Sequence, residues 1–295
     1  MSDVAISTSN LCRRFGRVTA VQEVSLSVPR GSVYGYLGRN GAGKTTTIQM
    51  LMGLLLPDTG TVSVMGFDPV KQDVAMKRVV SYVPERVQMP EWMTVKGLMN
   101  FGAGVHPNWD GRLAEELRAR LELPADRKLG QLSRGMLGKA ALMAALASRP
   151  QLLILDDPTM GLDPLVRREF MESIVAALGE AGTTVFFSSH ILEDVERVAD
   201  WIGILHEGRL VVQSSLDELQ TKTRRIIATF QDAMPDLTLP GMLQHETDGR
   251  QHVFLVSDFS ENILQPLHDA GALSVKVEGM SLEDIFVAYV RGGAA

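Results

Sequence analysis

Short runs of β-branched and aromatic residues recur along this chain, separated by stretches of helical composition. Val18 to Val28 alternates apolar and polar positions (Val18, Ala20, Val24, Leu26, Val28) and stops at Pro29-Arg30-Gly31, which predicts a strand and a turn. Val33 to Leu37 predicts a second strand. It runs directly into Gly38-Arg39-Asn40-Gly41-Ala42-Gly43-Lys44-Thr45, and Thr46 to Leu56 then has helix-compatible apolar content. Further strands are expected at Val79 to Val83, Leu152 to Leu155, Thr184 to Ser188 and Ile202 to Leu205. Strands alternating with helices imply an α/β fold with a mainly parallel sheet.

Two regions break that rhythm. Between residues 90 and 150 the strand signal fades, and Leu113 to Leu121 and Gly135 to Ala147 read as helices, rich in Leu, Ala, Met and Arg. After about residue 220, Arg225 to Phe230, Met242 to Thr247 and Gln251 to Val256 read as strands, with Asp248-Gly249 as a hairpin turn. Glu261 to Ala270 is expected to be helical and Leu273 to Val277 extended. Ser281 is expected to open a final helix, with Asp284 placed as in a capping box. A domain at 1–219 with a helical insertion at about 88–148, followed by a small α+β appendage at 220–295, accounts for the pattern.

Composition narrows the function classes. The 295 residues are 45% hydrophobic and 22% charged, which is ordinary for a folded globular chain. Lys and Arg total 29 against 35 Asp and Glu, a net charge of −6, so the broad attraction used by non-specific nucleic-acid binders is missing and no nucleic-acid partner is expected. Cys12 is the single cysteine, which rules out an intramolecular disulfide. Met1 to Asn10 has no apolar core of the secretory kind, and the most apolar stretches, Met50 to Leu56 and Ala140 to Ala147, fall far short of the ~20 residues a spanning helix needs. Any membrane role is therefore expected to be peripheral.

Gly38 to Thr45 fits Gly-x-x-x-x-Gly-Lys-Ser/Thr in full, after a predicted strand and before a predicted helix. Glycines at Gly38, Gly41 and Gly43, with Asn40 and Ala42 between them, let successive backbone N–H groups turn towards phosphate, and the helix start adds partial positive charge. Lys44 would reach the β and γ phosphates, Thr45 would ligate Mg²⁺, and Thr46 continues the helix start. A second acid on the Mg²⁺ side is needed at the end of a buried strand, and Leu152-Leu153-Ile154-Leu155-Asp156 supplies it, although Asp156 could also serve as a helix N-cap.

Other segments, in order, make the chain resemble the ATP-binding subunits of ABC transporters over about residues 4–219. Leu132-Ser133-Arg134-Gly135-Met136 stands where that family carries its signature motif. Asp157-Pro158-Thr159 follows the Walker B aspartate, Gly161-Leu162-Asp163-Pro164 resembles the D-loop, and Ser188-Ser189-His190 resembles the switch histidine segment. Glu85, in Tyr82-Val83-Pro84-Glu85, lies where the Q-loop would be, and Phe15 lies at the spacing of the aromatic that stacks on adenine. The resemblance implies ATP and Mg²⁺ as ligands, with Thr45, Asp156 and Glu85 on the metal side and Asp157, His190 and Glu85 in the hydrolytic step. It also implies nucleotide contacts from Phe15, Ser133, Gly135 and Asp163. Ser133 reads equally as a helix N-cap and Asp163 as a loop brace.

From the same resemblance follow a head-to-tail dimer closed by ATP, a homodimer in preference to a heterodimer, and a separate membrane permease. The chain would work in the cytoplasm on the inner face of the cell membrane, coupling ATP to export. The family usually has Glu after the Walker B aspartate; Asp157 is one methylene shorter, which implies slow hydrolysis. Glu85 replaces Gln, and Arg134 and Met136 replace Gly and Gln in the signature. The segment from about residue 220 resembles the short extension of drug- and polymer-exporter ATPases. Competing readings are a weakly hydrolysing regulatory module, or the degenerate half of an ATPase heterodimer. A soluble ATPase acting on ribosomes or DNA is disfavoured by the acidic balance, and GTP by the lack of an Asn-Lys-x-Asp segment. His245, His252 and His268 are too scattered in sequence to propose a metal site.

Overall fold

In the computed structural model, which describes residues 3–160, 167–168, 170–172, 182–231 and 237–292, the chain divides into two units, Met1–Leu210 and Val211–Ala295. The first begins with β1 (Val4–Phe15), which pairs antiparallel with β2 (Val18–Val24), β3 (Ser27–Pro29) and β5 (Thr59–Val64). The strand expected over Val18–Val28 is therefore two strands. Glu23 adopts a left-handed conformation (φ 53°), and the chain beyond it pairs with a different part of β1.

Behind this layer lies a six-stranded sheet. Its members are β4 (Val33–Leu37), β6 (Val80–Val83), β7 (Leu152–Leu155), β8 (Thr184–Ser189), β9 (Trp201–His206) and β10 (Arg209–Ser215), in the order β10-β9-β4-β8-β7-β6. The ladders joining β9, β4, β8, β7 and β6 are all parallel. Every residue of β4, β7 and β8 is buried, which is why they are largely apolar, although β8 also buries Thr184, Ser188 and Ser189. Tyr34 and Tyr36 on β4 pack on Phe186 of β8 with ring centroids 5.5 and 5.3 Å apart. Tyr36 also reaches Thr47 on α1 (Lys44–Leu51), oxygen to oxygen 3.3 Å, tying the sheet to the helix after the glycine loop.

The helix expected through Leu56 ends at Leu51. Gly53 turns left-handed (φ 67°), and Leu54 and Leu56 are exposed, so their apolar character reflects no helical packing. α2 (Asp73–Lys77) is a short connector. The helical region holds α3 (Val95–Val105), α4 (Gly111–Arg120) and α5 (Arg134–Ala147), whose first turns are capped by Thr94, Asp110 and Ser133 accepting from Gly97, Leu113 and Met136 N–H groups. α6 (Leu192–Val198) follows β8.

The second unit has α7 (Leu216–Lys222) and an antiparallel sheet of β11 (Arg224–Phe230), β12 (Met242–Asp248), β13 (Gln251–Val256) and β14 (Ala272–Glu278) in the order β12-β13-β11-β14. Asp248 pairs with Gln251 around a two-residue turn where Gly249 has φ 60°, the conformation a tight hairpin of this length requires. One face of the sheet buries Ile226, Ala228, Phe230, Phe254 and Val256 against Ile263 and Leu267. The single helix expected over Glu261–Ala270 is a 3₁₀ turn, Glu261–Leu264, followed by α8 (Gln265–Asp269). In α9 (Leu282–Gly292) Ser281 Oγ accepts from the Asp284 N–H at 3.1 Å and donates to its carboxylate at 2.9 Å.

Candidate nucleotide site

β4 delivers the chain into the glycine loop, and α1 leaves it. Gly43 occupies the N-cap with φ 107°, and a Cβ there would lie 2.2 Å from the Ala20 carbonyl oxygen, so no side chain fits. No side chain caps α1, leaving its first N–H groups to an anion. A hollow of about 300 Å³ opens here, lined by Ala20, Asn40, Gly41, Gly43, Lys44, Thr45, Thr46, Glu85, Asp157 and Met160. Gly38 closes the strand end, its N–H donating to the Ser189 carbonyl at 3.3 Å. A Cβ on Gly38 would meet Ala42 at 3.2 Å, which packs the loop tightly.

Lys44 is 7% exposed and donates to the carbonyls of Gly38 (2.7 Å) and Arg39 (3.3 Å), which hold its ammonium over the loop. Burial lowers its pKa, and the carboxylates of Asp157, Asp156 and Glu85 act in the opposite sense. Thr45 donates to Asp156 Oδ1 at 3.2 Å, and Ser188 donates to the same oxygen at 2.8 Å. Asp156 is 1% exposed, and its Oδ2 is buried without a hydrogen-bond partner. Burial raises its pKa; the bonds from Ser188 and Thr45 counter that, while Glu85 and Asp157 add to it. A buried carboxylate oxygen without a donor, beside a hydroxyl and a second carboxylate at Glu85, is a donor set suited to a hard divalent cation.

Asp157 has left-handed backbone (φ 42°), and its N–H donates to Ser188 Oγ at 2.8 Å. Its Oδ2 lies 2.7 Å from His190 Nδ1, and its Oδ1 is buried without a partner. His190 also lines a second hollow of about 510 Å³ with Arg39, Asn40, Gly41, Ala42, His206 and Glu207.

The remaining residues stand apart from this cluster. Ser133 is exposed at the start of α5, one residue before Arg134 and two before Gly135. Phe15 ends β1, 48% exposed, with the Arg13 guanidinium carbon 5.0 Å from its ring centre. Arg13 is held in turn by the Leu56 carbonyl (3.0 Å) and Asp58 Oδ1 (2.8 Å). Asp163 lies outside the described residues.

Arg13 is not singled out by the sequence, and Ser188 reads only as part of the segment leading to His190. Arg13 stands two positions before Phe15 on one strand, a same-face spacing that would have paired them. Ser188 reaches Asp156 and Asp157 only because β7 and β8 are neighbours. The histidines expected to be scattered are partly gathered: His245 and His252 lie 3.1 Å apart, nitrogen to nitrogen, across β12 and β13. Among the described residues no group of three or more His, Cys, Asp or Glu side chains could hold a metal ion.

A parallel sheet whose strand runs through a glycine loop into a helix, with Lys44 and Thr45 at that junction and Asp156 at the end of a nearby strand, defines a P-loop nucleotide hydrolase. A family profile described as ABC transporter matches residues 21–160, and one described as an AAA domain, putative AbiEii toxin, Type IV TA system matches 125–196. The chain is 32% identical to the bacitracin transport ATP-binding protein BcrA of Bacillus licheniformis over 98% of both chains. It is also 32% identical to the daunorubicin resistance ATP-binding protein DrrA3 of Streptomyces coeruleorubidus, over 97% of this chain and 96% of that one. A solved structure titled as the ATP binding subunit of an ABC transporter superposes with a TM-score of 0.67 at 27% identity, covering 74% of this chain and 92% of its own. The chain belongs to the ATP-binding subunits of ABC transporters. It binds ATP and is an ATPase. Among the described residues no helix is long and apolar enough to cross a membrane.

Proposed function

We propose that this subunit uses MgATP to drive export through a separate membrane permease, pairing head to tail with a second ATPase subunit, and so works at the cytoplasmic face of a membrane. The observation that carries the reading is the Thr45–Asp156 contact with a buried, unpartnered Asp156 oxygen beside the uncapped helix start. The names of the relatives, bacitracin transport and daunorubicin resistance, favour export. Residues 1–219 are the ATPase domain in this reading and 220–295 the appendage.

Thr45, Asp156 and Glu85 hold magnesium, whose chemistry is to neutralise phosphate charge and polarise the phosphoryl oxygens. The N–H groups from Gly43 to Thr46 and the Lys44 ammonium orient the phosphates, and Phe15 carries the adenine. Asp157 directs the attacking water, with His190 held against it and facing the γ phosphate. Ser133 and Gly135, with Asp163, meet the nucleotide of the second subunit, so that ATP joins the two and its cleavage separates them. Asp157 is shorter than the usual Glu and bonded to His190, which favours slow turnover.

Calorimetry of the full chain with ATP in EDTA and in Mg²⁺ tests the core of this reading. Mg²⁺ is expected to tighten binding in the natural sequence and to have little effect in Asp156→Asn; equal tightening in both overturns the assignment of Asp156. Very slow turnover by the pure homodimer, restored by a second distinct subunit, would favour the half-of-a-heterodimer reading instead.

A further inference from the structure

Ser188 is fully buried, and both hydrogen-bonding faces of its hydroxyl are spent on consecutive residues of the neighbouring strand end. Its Oγ donates to Asp156 Oδ1 at 2.8 Å and accepts the Asp157 N–H at 2.8 Å. The ladder between β7 and β8 ends at the Leu155–Phe187 pair, and the Asp156 N–H turns the other way, to the Val83 carbonyl on β6 at 2.9 Å. Past the last rung, then, the turn that carries both carboxylates is held on the β8 side by this side chain, through Asp156 Oδ1 and the Asp157 N–H, and by His190 through the Asp157 carboxylate. The anchored backbone is an unfavourable one, since Asp157 sits in the left-handed region with φ 42°.

We propose that Ser188 is a positioning residue for the metal-side carboxylate: it fixes the rotation of Asp156, with Oδ1 held between Ser188 and Thr45 and Oδ2 left unpartnered, and it sets where the Asp157 carboxylate starts. The proposal rests on the reading of Asp156 as a magnesium contact and deepens it. Two donors meet Asp156 Oδ1, and the longer bond, 3.2 Å, comes from Thr45, which is itself read as a metal contact. Ser188 is the partner of Asp156 with no second ligand to serve. Without its hydroxyl, a buried carboxylate oxygen loses its shorter bond and a buried N–H loses its acceptor, so the carboxylate is free to turn within its pocket. Placement of a ligand by such a bond is the kind of outer contact whose loss costs ten- to a hundredfold in metal affinity.

The test compares the full chain with Ser188→Ala and Ser188→Cys by titrating ATP in EDTA and again in Mg²⁺, and by following Mn²⁺ binding to the ADP complex by electron paramagnetic resonance. ATP affinity in EDTA is expected to stay within about twofold of the natural sequence in both variants, because the loop and Lys44 are untouched. The gain on adding Mg²⁺, and the Mn²⁺ affinity, are expected to fall about tenfold in Ser188→Ala and by less in Ser188→Cys, whose thiol is a weaker donor. In an Asp156→Asn background the same serine substitution is expected to remove nothing further. An undiminished metal-dependent gain in a folded Ser188→Ala protein overturns the proposal while leaving the Asp156 assignment standing. Absence of any gain in the natural sequence overturns that assignment itself. If Ser188→Ala does not fold, Ser188→Cys decides in the same way, an unreduced gain again overturning the role.

Discussion

Replacing Asp157 by Glu separates reach from strain at the hydrolytic carboxylate. The extra methylene carries the carboxylate about 1.5 Å further from the backbone, away from a position where Oδ2 rests 2.7 Å from His190 and Oδ1 is buried without a partner. A positioned base contributes roughly 10²–10⁴ in rate, and a carboxylate drawn back by a bond length recovers only part of it. Regaining one decade corresponds to lowering the barrier by about 1.4 kcal/mol. Against this stands the backbone: φ is 42°, and Glu tolerates the left-handed region less well than Asp, at a cost of about 1 kcal/mol in folding stability. The two effects appear in different assays. Phosphate release at saturating MgATP is expected to rise about tenfold, while the denaturation midpoint falls slightly and ATP affinity is unchanged. Slower turnover by a folded Asp157→Glu protein with undiminished MgATP binding would refute the idea that side-chain length limits the natural rate.

Three further outcomes follow from geometry elsewhere. Arg13→Gln removes the cation from the face of Phe15; exposed cation–π contacts contribute about 0.5–1 kcal/mol, so ATP affinity is expected to fall about two- to fivefold with tripolyphosphate affinity unchanged, and equal loss for both ligands would disconnect Phe15 from the base. His252 is buried beside His245, and burial first, then the neighbouring imidazole, lower its pKa below the ordinary 6.5. The folded state therefore binds protons less readily than the unfolded one, so its contribution to stability is intact above pH 6.5 and is lost as pH falls from 6.5 through the lowered value; an imidazole titration by NMR with a midpoint at or above 6.5 contradicts this. Gly249→Ala places a Cβ at φ 60° in the β12–β13 turn and is expected to cost about 1 kcal/mol, read as a lower unfolding midpoint with unaltered ATP binding.

How legible an element was depended on whether its neighbours are near in sequence. β4, β7 and β8 are buried throughout, with parallel partners on both edges, so each centres on an apolar run, Val33–Leu37, Leu152–Leu155 and Val185–Phe187, that reads from its own residues. β1 went unread although it is the longest strand described. It pairs with three others, and irregular register within each ladder leaves buried positions at Ala5, Ile6, Thr8 and Leu11, a spacing with no clean period of two. Leu54 and Leu56 misled in the other direction: apolar residues extended the expected helix past Leu51, yet both are exposed, and the left-handed Gly53 already ends the turn.

The same rule governs the site. Gly38 to Thr45 is contiguous, so its chemistry can be read letter by letter, and Asp156 follows from its own strand. Ser188 cannot be read that way, because its work depends on β8 lying beside β7, a fact held by no local stretch. The histidines are the instructive intermediate case. Asp248-Gly249 reads as the hairpin turn, whereas the structure keeps Asp248 in the ladder and turns at Gly249 and Arg250, which pairs Asp248 with Gln251, Thr247 with His252 and His245 with Phe254. In an antiparallel ladder, His252 then shares a face with Phe254, diagonally across from His245. The rings duly stack, His245 on Phe254 at 4.4 Å between centroids, with the two imidazoles in contact. The recognised turn already brings these two strands together, and its displacement by one residue, from Asp248-Gly249 to Gly249-Arg250, is what sets His245 opposite Phe254 instead of opposite His252.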